Sequence, residues 1–561
     1  MKTNPAIIDD LSPVPKSSAS LSQLARSKPV LLSDTHIQTF ICNGFLRLDT
    51  GLSDALHQRI EDKLRWSMEK EFPMGNNVLP RIPQMYDILE CPVVHGALIS
   101  ILGENYVLHP HRAVHSSTPV EDRHVEIGVE ENGPTMGRGS MAGSGWHQDA
   151  HSPLSRARHH VPRYLILFYF PHDTPQVMGL TRIQAGSHLY SRPVQPANVV
   201  LPDDVQAGTV FLLHFDIVHA AFPNRTELTR YMVKFVVART ENPTRPSWNT
   251  RSPEWRRPDA CIPDADLTAT WTYIWNWMRG DRNRTQACAD QACTEKVEAL
   301  IDGFGDADQT RRLTAIYELA AIGPAAIPAL TAKLESVADE DRHQRRLATD
   351  NEGRSIPRDD VRSERRWTER AVVMEDAAYA LGAMGACALD ALTALLEHRD
   401  PWIKINTCFA LGELGAEAES AVPMIAELFD HASQHVVRQA LDALGAIGCG
   451  IDPAITGIRR LLAESNPAWQ EPAVTRQWVG EDQVRLNAIF ALLNAINDGS
   501  ADQAAIEDTL TSSLEDPNGY VPILATEALT RLDTPSAHRA ALGYLRRHAW
   551  DDSLAAGIRI Y

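Results

Sequence analysis

Between residues 161 and 240 the apolar positions come in short, unbroken runs: "RYLILFYF" (163–170), "GTVFLLHF" (208–215) and "YMVKFVVART" (231–240). Each is bounded by Gly, Pro or Asn, and each is rich in β-branched and aromatic side chains, the pattern of strands closed by turns. Several such runs without long helices between them predict an antiparallel barrel or jelly roll. Upstream the period changes. "SDTHIQTFICNGFL" (33–46) and "SDALHQRIEDKL" (53–64) each open on a Ser followed by apolar residues at helical spacing, which predicts two capped helices.

From about residue 307 the pattern is helical and repeats. Helices are expected to close at "LAAIG" (Gly323), "LGAMG" (Gly385), "LGELG" (Gly415) and "LGAIG" (Gly448), with weaker copies at "LNAIN" (Asn497) and "LTRLD" (Asp533). Each copy ends on a residue tolerant of left-handed backbone, and a second helix follows, as in "PAAIPALTAKLE" and "AESAVPMIAELF". Gly385 to Gly415 is 30 residues and Gly415 to Gly448 is 33; the charged segment 338–370 is the largest insertion. Helix pairs at this period predict an α-solenoid, and the region 307–561 resembles HEAT repeats in roughly six uneven copies. The expected organisation is a flexible N-terminus (1–30), a β-rich domain (31–240), a linker (241–306) and the repeats (307–561). In the linker, "TATWTYIWNWMRG" puts Trp271, Trp275 and Met278 on one helical face, which is expected to dock the two halves together.

The composition narrows the function. With 561 residues and a formal net charge of −18, the chain lacks the excess of Lys and Arg that nucleic acid or an anionic membrane requires. No apolar run is long enough to span a bilayer, and the N-terminus has no apolar core of a secretory signal, so a soluble, cytoplasmic protein is expected. Cys288 and Cys293 are spaced C-x4-C without a second pair nearby, and the eight cysteines are expected to be reduced thiols.

Candidate chemistry begins at "GWHQDAHSP" (145–153), where His147 and Asp149 could reach one ion from a strand end. The same His-x-Asp pattern occurs at His214/Asp216 and His398/Asp400, so the motif alone selects nothing. Downstream, Arg225 and Arg230 lie eleven residues after His214 and His219 respectively, which leaves two pairings open. The surroundings are more informative. His219 stands just before the turn "AAFPN", and Arg230 begins the next strand, an arrangement that sets ligand and cation at the mouth of one barrel.

In this order, "WHQDAH", "GLTRIQAGSH" (179–188), "GTVFLLHFDIVHAAFPN" and Arg230 resemble the phytanoyl-CoA dioxygenase family of Fe(II)- and 2-oxoglutarate-dependent oxygenases. "LSDTHIQTFICNGFLRL" (32–48) is similar to that family's opening helix and strand, and the resemblance covers about residues 30–240. It implies a double-stranded β-helix (jelly roll) with flanking helices. It implies His147, Asp149 and His219 as a facial iron triad, a set that leaves three positions open for the cosubstrate and O2. Arg230 would hold the distal carboxylate of 2-oxoglutarate through its planar fork. Gln148 is assigned near the cosubstrate. Ala221 stands where many relatives carry a hydroxyl residue; either Thr226 is the substitute or Arg230 acts with other partners. The implied reaction is hydroxylation of an unactivated C–H of a small-molecule metabolite, with 2-oxoglutarate converted to succinate and CO2. Desaturation and epoxidation stay open. The carboxylate of Asp149 argues against halogenation, because related halogenases have Gly or Ala there.

Two other readings remain. One is a non-catalytic HEAT scaffold with a retired barrel, and the other an oxygenase whose protein or carrier-bound substrate docks on the repeats. The oligomeric state is open. Of the other histidines, His151, His159, His160 and His172 are expected at the surface or behind the ligands, and His188 in a turn. "HPHRAVH" (109–115) is expected to line a solvated or cavity face, and Asp400 to cap a repeat helix.

Overall fold

A computed structural model describes residues 28–71, 74–120, 146–149, 157–191, 197–281, 291–338, 373–470, 479–499 and 501–549. Among the described residues the N-terminal half carries eight strands: β1 (Phe45–Asp49), β2 (Val107–Ser117), β3 (Tyr164–Tyr169), β4 (Thr181–Gln184), β5 (Val199–Val200), β6 (Thr209–His214), β7 (His219–Ala221) and β8 (Arg230–Ala238). They form a five-stranded antiparallel sheet, β1-β6-β3-β8-β2, and a three-stranded one, β5-β4-β7.

Side-chain alternation along the strands divides the core in two. Ile166, Phe168 and Phe170 share one cluster with Phe211, Leu213, Met232 and Val236 of the large sheet and with Leu180 and Ile183 beside the small one. The intervening Leu165, Leu167, Tyr169, Val233, Phe235 and Val237 face the other way, into a cluster with Ile37, Phe40, Ile60 and Leu64 of the N-terminal helices. Those helices start as the sequence predicts. Ser33 caps the helix Asp34–Asn43 through a reciprocal capping box with His36, and that helix closes at Gly44 in the left-handed region.

The C-terminal half is helical. Glycines end successive helices at positive φ, at Gly323 (75°), Gly385 (70°), Gly415 (62°) and Gly448 (74°), and Asp533 (56°) does the same. The copy expected to close at Asn497 closes two residues later: its helix runs through Asp498 and turns at Gly499. Asp400 caps the helix Pro401–Leu414 by accepting from the amides of Trp402 and Ile403, which accounts for the "HRD" copy of the motif. The insertion expected at 338–370 lies almost wholly outside the described residues, as does His151. One stretch, Gln309–Glu335, is long and apolar enough to cross a membrane by length and composition, contrary to the expectation that none is. It is divided by a turn at Gly323–Ala326 into two helices that pack among their neighbours.

The two halves share one wall. Trp271, Trp275 and Met278 of the helix Thr268–Met278 are buried, and Tyr273 of that helix stacks on Tyr317 of the repeats at 4.6 Å. Several histidines lie in the same wall, which corrects their expected exposure. His109 stacks on Phe490, His111 hydrogen-bonds the Tyr520 hydroxyl, His159 meets Glu413 and His160 meets the Tyr317 hydroxyl. A polar side chain is buried when a partner satisfies it, and here the partners come from a helical half that begins far downstream.

Candidate metal centre

Backbone pairing assembles the site. His147 and His219 form an antiparallel bridge, each amide donating to the other's carbonyl at 3.1 and 3.0 Å. Residues so paired project side chains to the same side, and the two imidazole rings lie 4.5 Å apart. Asp149 returns to that side two residues on, with Oδ1 at 3.9 Å from His147 Nε2. Ligand atoms of His147, Asp149 and His219 all lie within 4.8 Å of one another, the one such group of His, Cys, Asp and Glu among the described residues.

The imidazole of His219 is oriented from behind. Its Nδ1 is 3.0 Å from the carbonyl of Ile217, which leaves Nε2 for a ligand, the arrangement usual for metal-bound histidine. Phe168 meets the ring edge-on at 5.6 Å. Burial, and then the neighbouring His147, push the His219 imidazole down to about 4, so it is neutral and able to bind a metal at ordinary pH. The side chain of His147 is 31% exposed against 2% for Asp149, so the group opens to its surroundings on the His147 side.

Arg230, at the start of β8, is 2% exposed and has no carboxylate partner among the described residues. One nitrogen, Nη2, donates to the carbonyl of Gly179 at 3.0 Å, while Nε and Nη1 are buried without a hydrogen-bond partner among the described residues. Burial lowers its pKa to about 10, still far above neutrality. A buried, charged fork with donors to spare fits a carboxylate ligand.

Two assigned residues are engaged elsewhere. Gln148 alternates away from His147 and Asp149, and its amide donates to the carbonyls of Ser187, Tyr190 and Asp216 at 3.3, 3.2 and 2.8 Å. It ties the strand of His147 and Asp149 to the turn Ser187–Leu189. Thr226 donates to Asn224 Oδ1 at 2.8 Å and to the carbonyl of Leu228 at 3.2 Å, shaping the loop between β7 and β8. His214 and Asp216 are buried together, 4.0 Å apart, with Arg158 at 3.7 Å from Asp216. Sequence reasoning missed Lys234, which is buried in mid-β8 and hydrogen-bonds Asp149 Oδ2. Its signal was present, because a lysine inside an apolar strand, four residues from Arg230 and so on the same face, requires a buried anion.

Residues 389–475 match the family model of HEAT repeats. No curated protein matches the chain. Several solved structures match part of the chain at low identity and low TM-score. They include the alpha-ketoglutarate-dependent carbocyclase SnoK from nogalamycin biosynthesis (15% identity, 38% of this chain and 88% of that one, TM-score 0.27). The non-heme monooxygenase ThoJ in complex with nickel matches at 16% identity over 41% of this chain and 92% of that one, TM-score 0.26. HygX from Streptomyces hygroscopicus, with nickel and 2-oxoglutarate bound, matches at 13% over 38% and 88%, TM-score 0.27.

Proposed function

We propose that the chain is an Fe(II)/2-oxoglutarate-dependent oxygenase, a jelly-roll domain on an α-solenoid, that oxidises a small molecule at an unactivated C–H. The observation that carries this reading is the grouping of His147, Asp149 and His219 with a buried Arg230 whose Nε and Nη1 lack partners among the described residues. His147, Asp149 and His219 would hold the iron, and Arg230 the far carboxylate of 2-oxoglutarate. When bound, the metal with O2 and the 2-oxo acid supplies the oxidising chemistry, yielding succinate and CO2. The chain's own work is positional. The His147–His219 bridge fixes the spacing of two ligands, the Ile217 carbonyl fixes a ring, Phe168 packs edge-on against that ring and Phe170 lies beside the Arg230 guanidinium. Hydroxylation is the simplest outcome of this set, and the carboxylate of Asp149 leaves no vacancy for a halide.

The test is anaerobic reconstitution of the full chain with Fe(II) and 2-oxoglutarate, followed by O2. Formation of succinate that disappears in His147→Ala and His219→Ala is the expected result. Succinate formation that persists in both variants, or wild-type protein that binds no divalent metal, overturns the reading.

A further inference from the structure

The two oxygens of Asp149 are divided between two neighbours. Oδ2 is held by Lys234, and Oδ1 faces His147 Nε2 at 3.9 Å. Both members of the ion pair are almost wholly buried, at 3% and 2% side-chain exposure. Lys234 is fixed from its own strand, where register sets it opposite Phe168, the residue that meets His219 edge-on.

We propose that Lys234 is a positioning residue and built-in counter-ion of the metal centre. It turns Asp149 so that a single oxygen is offered to the ion, and it balances the carboxylate when no ion is bound. This rests on reading the site as a divalent metal centre. With both imidazoles neutral, as metal ligation requires, the ammonium and the carboxylate cancel. A divalent ion then leaves the ligand group doubly positive, the guanidinium of Arg230 adds one further positive charge, and a doubly negative 2-oxo diacid offsets most of the total. Lys234 therefore repels the cation and attracts the cosubstrate, so metal affinity is given up in favour of cosubstrate affinity. Without it, the buried carboxylate of Asp149 loses its ammonium counter-ion.

The experiment compares the full-length wild type with Lys234→Met and Lys234→Arg, using Co(II) as the metal probe and two readouts independent of turnover. Metal-free K234M is expected to melt below wild type and to recover on adding Co(II). By calorimetry it is expected to bind Co(II) about tenfold more tightly and, once loaded, 2-oxoglutarate about tenfold more weakly, as charges a few ångströms apart at a partly screened site dictate. K234R is expected to keep the metal-free melting point. Wild-type Co(II) affinity together with a wild-type metal-free melt in K234M overturns the proposal. A wild type that binds no Co(II) defeats the metal-centre reading itself. Should K234M fail to fold, Asp149→Asn combined with Lys234→Met decides. A folded double variant supports the charge pairing, and an unfolded one shows that Lys234 serves packing alone.

Discussion

Arg163 and Glu413, 250 residues apart in the chain, meet at 3.0 Å in the wall between the two halves. His159 reaches the same carboxylate oxygen at 2.7 Å. Glu413 sits on a repeat helix and its two partners stand just before β3, so each half holds charge that the other half satisfies. Glu413→Gln keeps the shape but leaves Arg163 buried without a counter-ion. Breaking a buried pair in this way is destabilising by about 3–5 kcal/mol. The expected outcome is a lower urea midpoint for the whole chain.

The same carboxylate gives a pH dependence. Burial alone would raise it, but Arg163 and then His159 outweigh burial and hold it at about 2, below its ordinary 4.5. As the pH falls, the unfolded chain takes up the proton first. The stabilisation is therefore complete above about 4.5, declines between about 4.5 and 2, and is lost below that window. The stability difference between wild type and Glu413→Gln should shrink across that interval, measured as denaturant midpoints at stepped pH. A difference that stays constant there would count against the assignment.

Arg230→Met keeps much of the side chain's bulk and removes its donors. Hydrogen bonds to charged groups contribute about 1.5–3 kcal/mol, so 2-oxoglutarate binding to the Co(II)-loaded protein should weaken at least tenfold. Co(II) affinity itself should be unchanged, because none of the three ligands is touched. Calorimetric titration of metal and cosubstrate in turn separates the two effects.

Gly44 closes the helix Asp34–Asn43 at φ 80°, and a Cβ there would lie 2.4 Å from His188 Nδ1. Gly499 has φ 69° and open space around it. Both positions carry the left-handed backbone penalty of about 1–2 kcal/mol for a residue with a Cβ, but only the first also forces His188 to move. Gly44→Ala should therefore lower the melting temperature more than Gly499→Ala. Equal losses would show that the His188 turn yields without strain.

How far the sequence carried these conclusions depended on the range of the interactions. Caps and turns are local, so Ser33, Asp400 and the closing glycines were readable from neighbouring residues. The ligand group was readable because its members recur in a fixed order along the chain, although their closeness depends on a backbone bridge 72 residues long in sequence, from His147 to His219. The tie of Gln148 to Ser187, Tyr190 and Asp216 was not readable, because position beside His147 says nothing about which face of the strand a side chain takes. Lys234 was passed over because it interrupts an apolar run that reads as core. The wall was legible only in its docking helix, where Trp271, Trp275 and Met278 share one face. His109, His111, His159 and His160 look like surface residues until the partners, Phe490, Tyr520, Glu413 and Tyr317, are folded against them.

The spacing of those ties has a mechanical meaning. Asn242 donates to the carbonyl of Ala446, Asn497 to the hydroxyl of Thr240, and Arg531 to the carbonyls of Asn105 and Tyr106. With Tyr317, Tyr379 and Glu413, they fasten the repeats to the β-rich half at intervals from one end of the array to the other. Repeat arrays ordinarily yield under load because each unit touches only its neighbours. Here the units are pinned in series to a stiff sheet, and the array acts as a splint whose bending modes are suppressed.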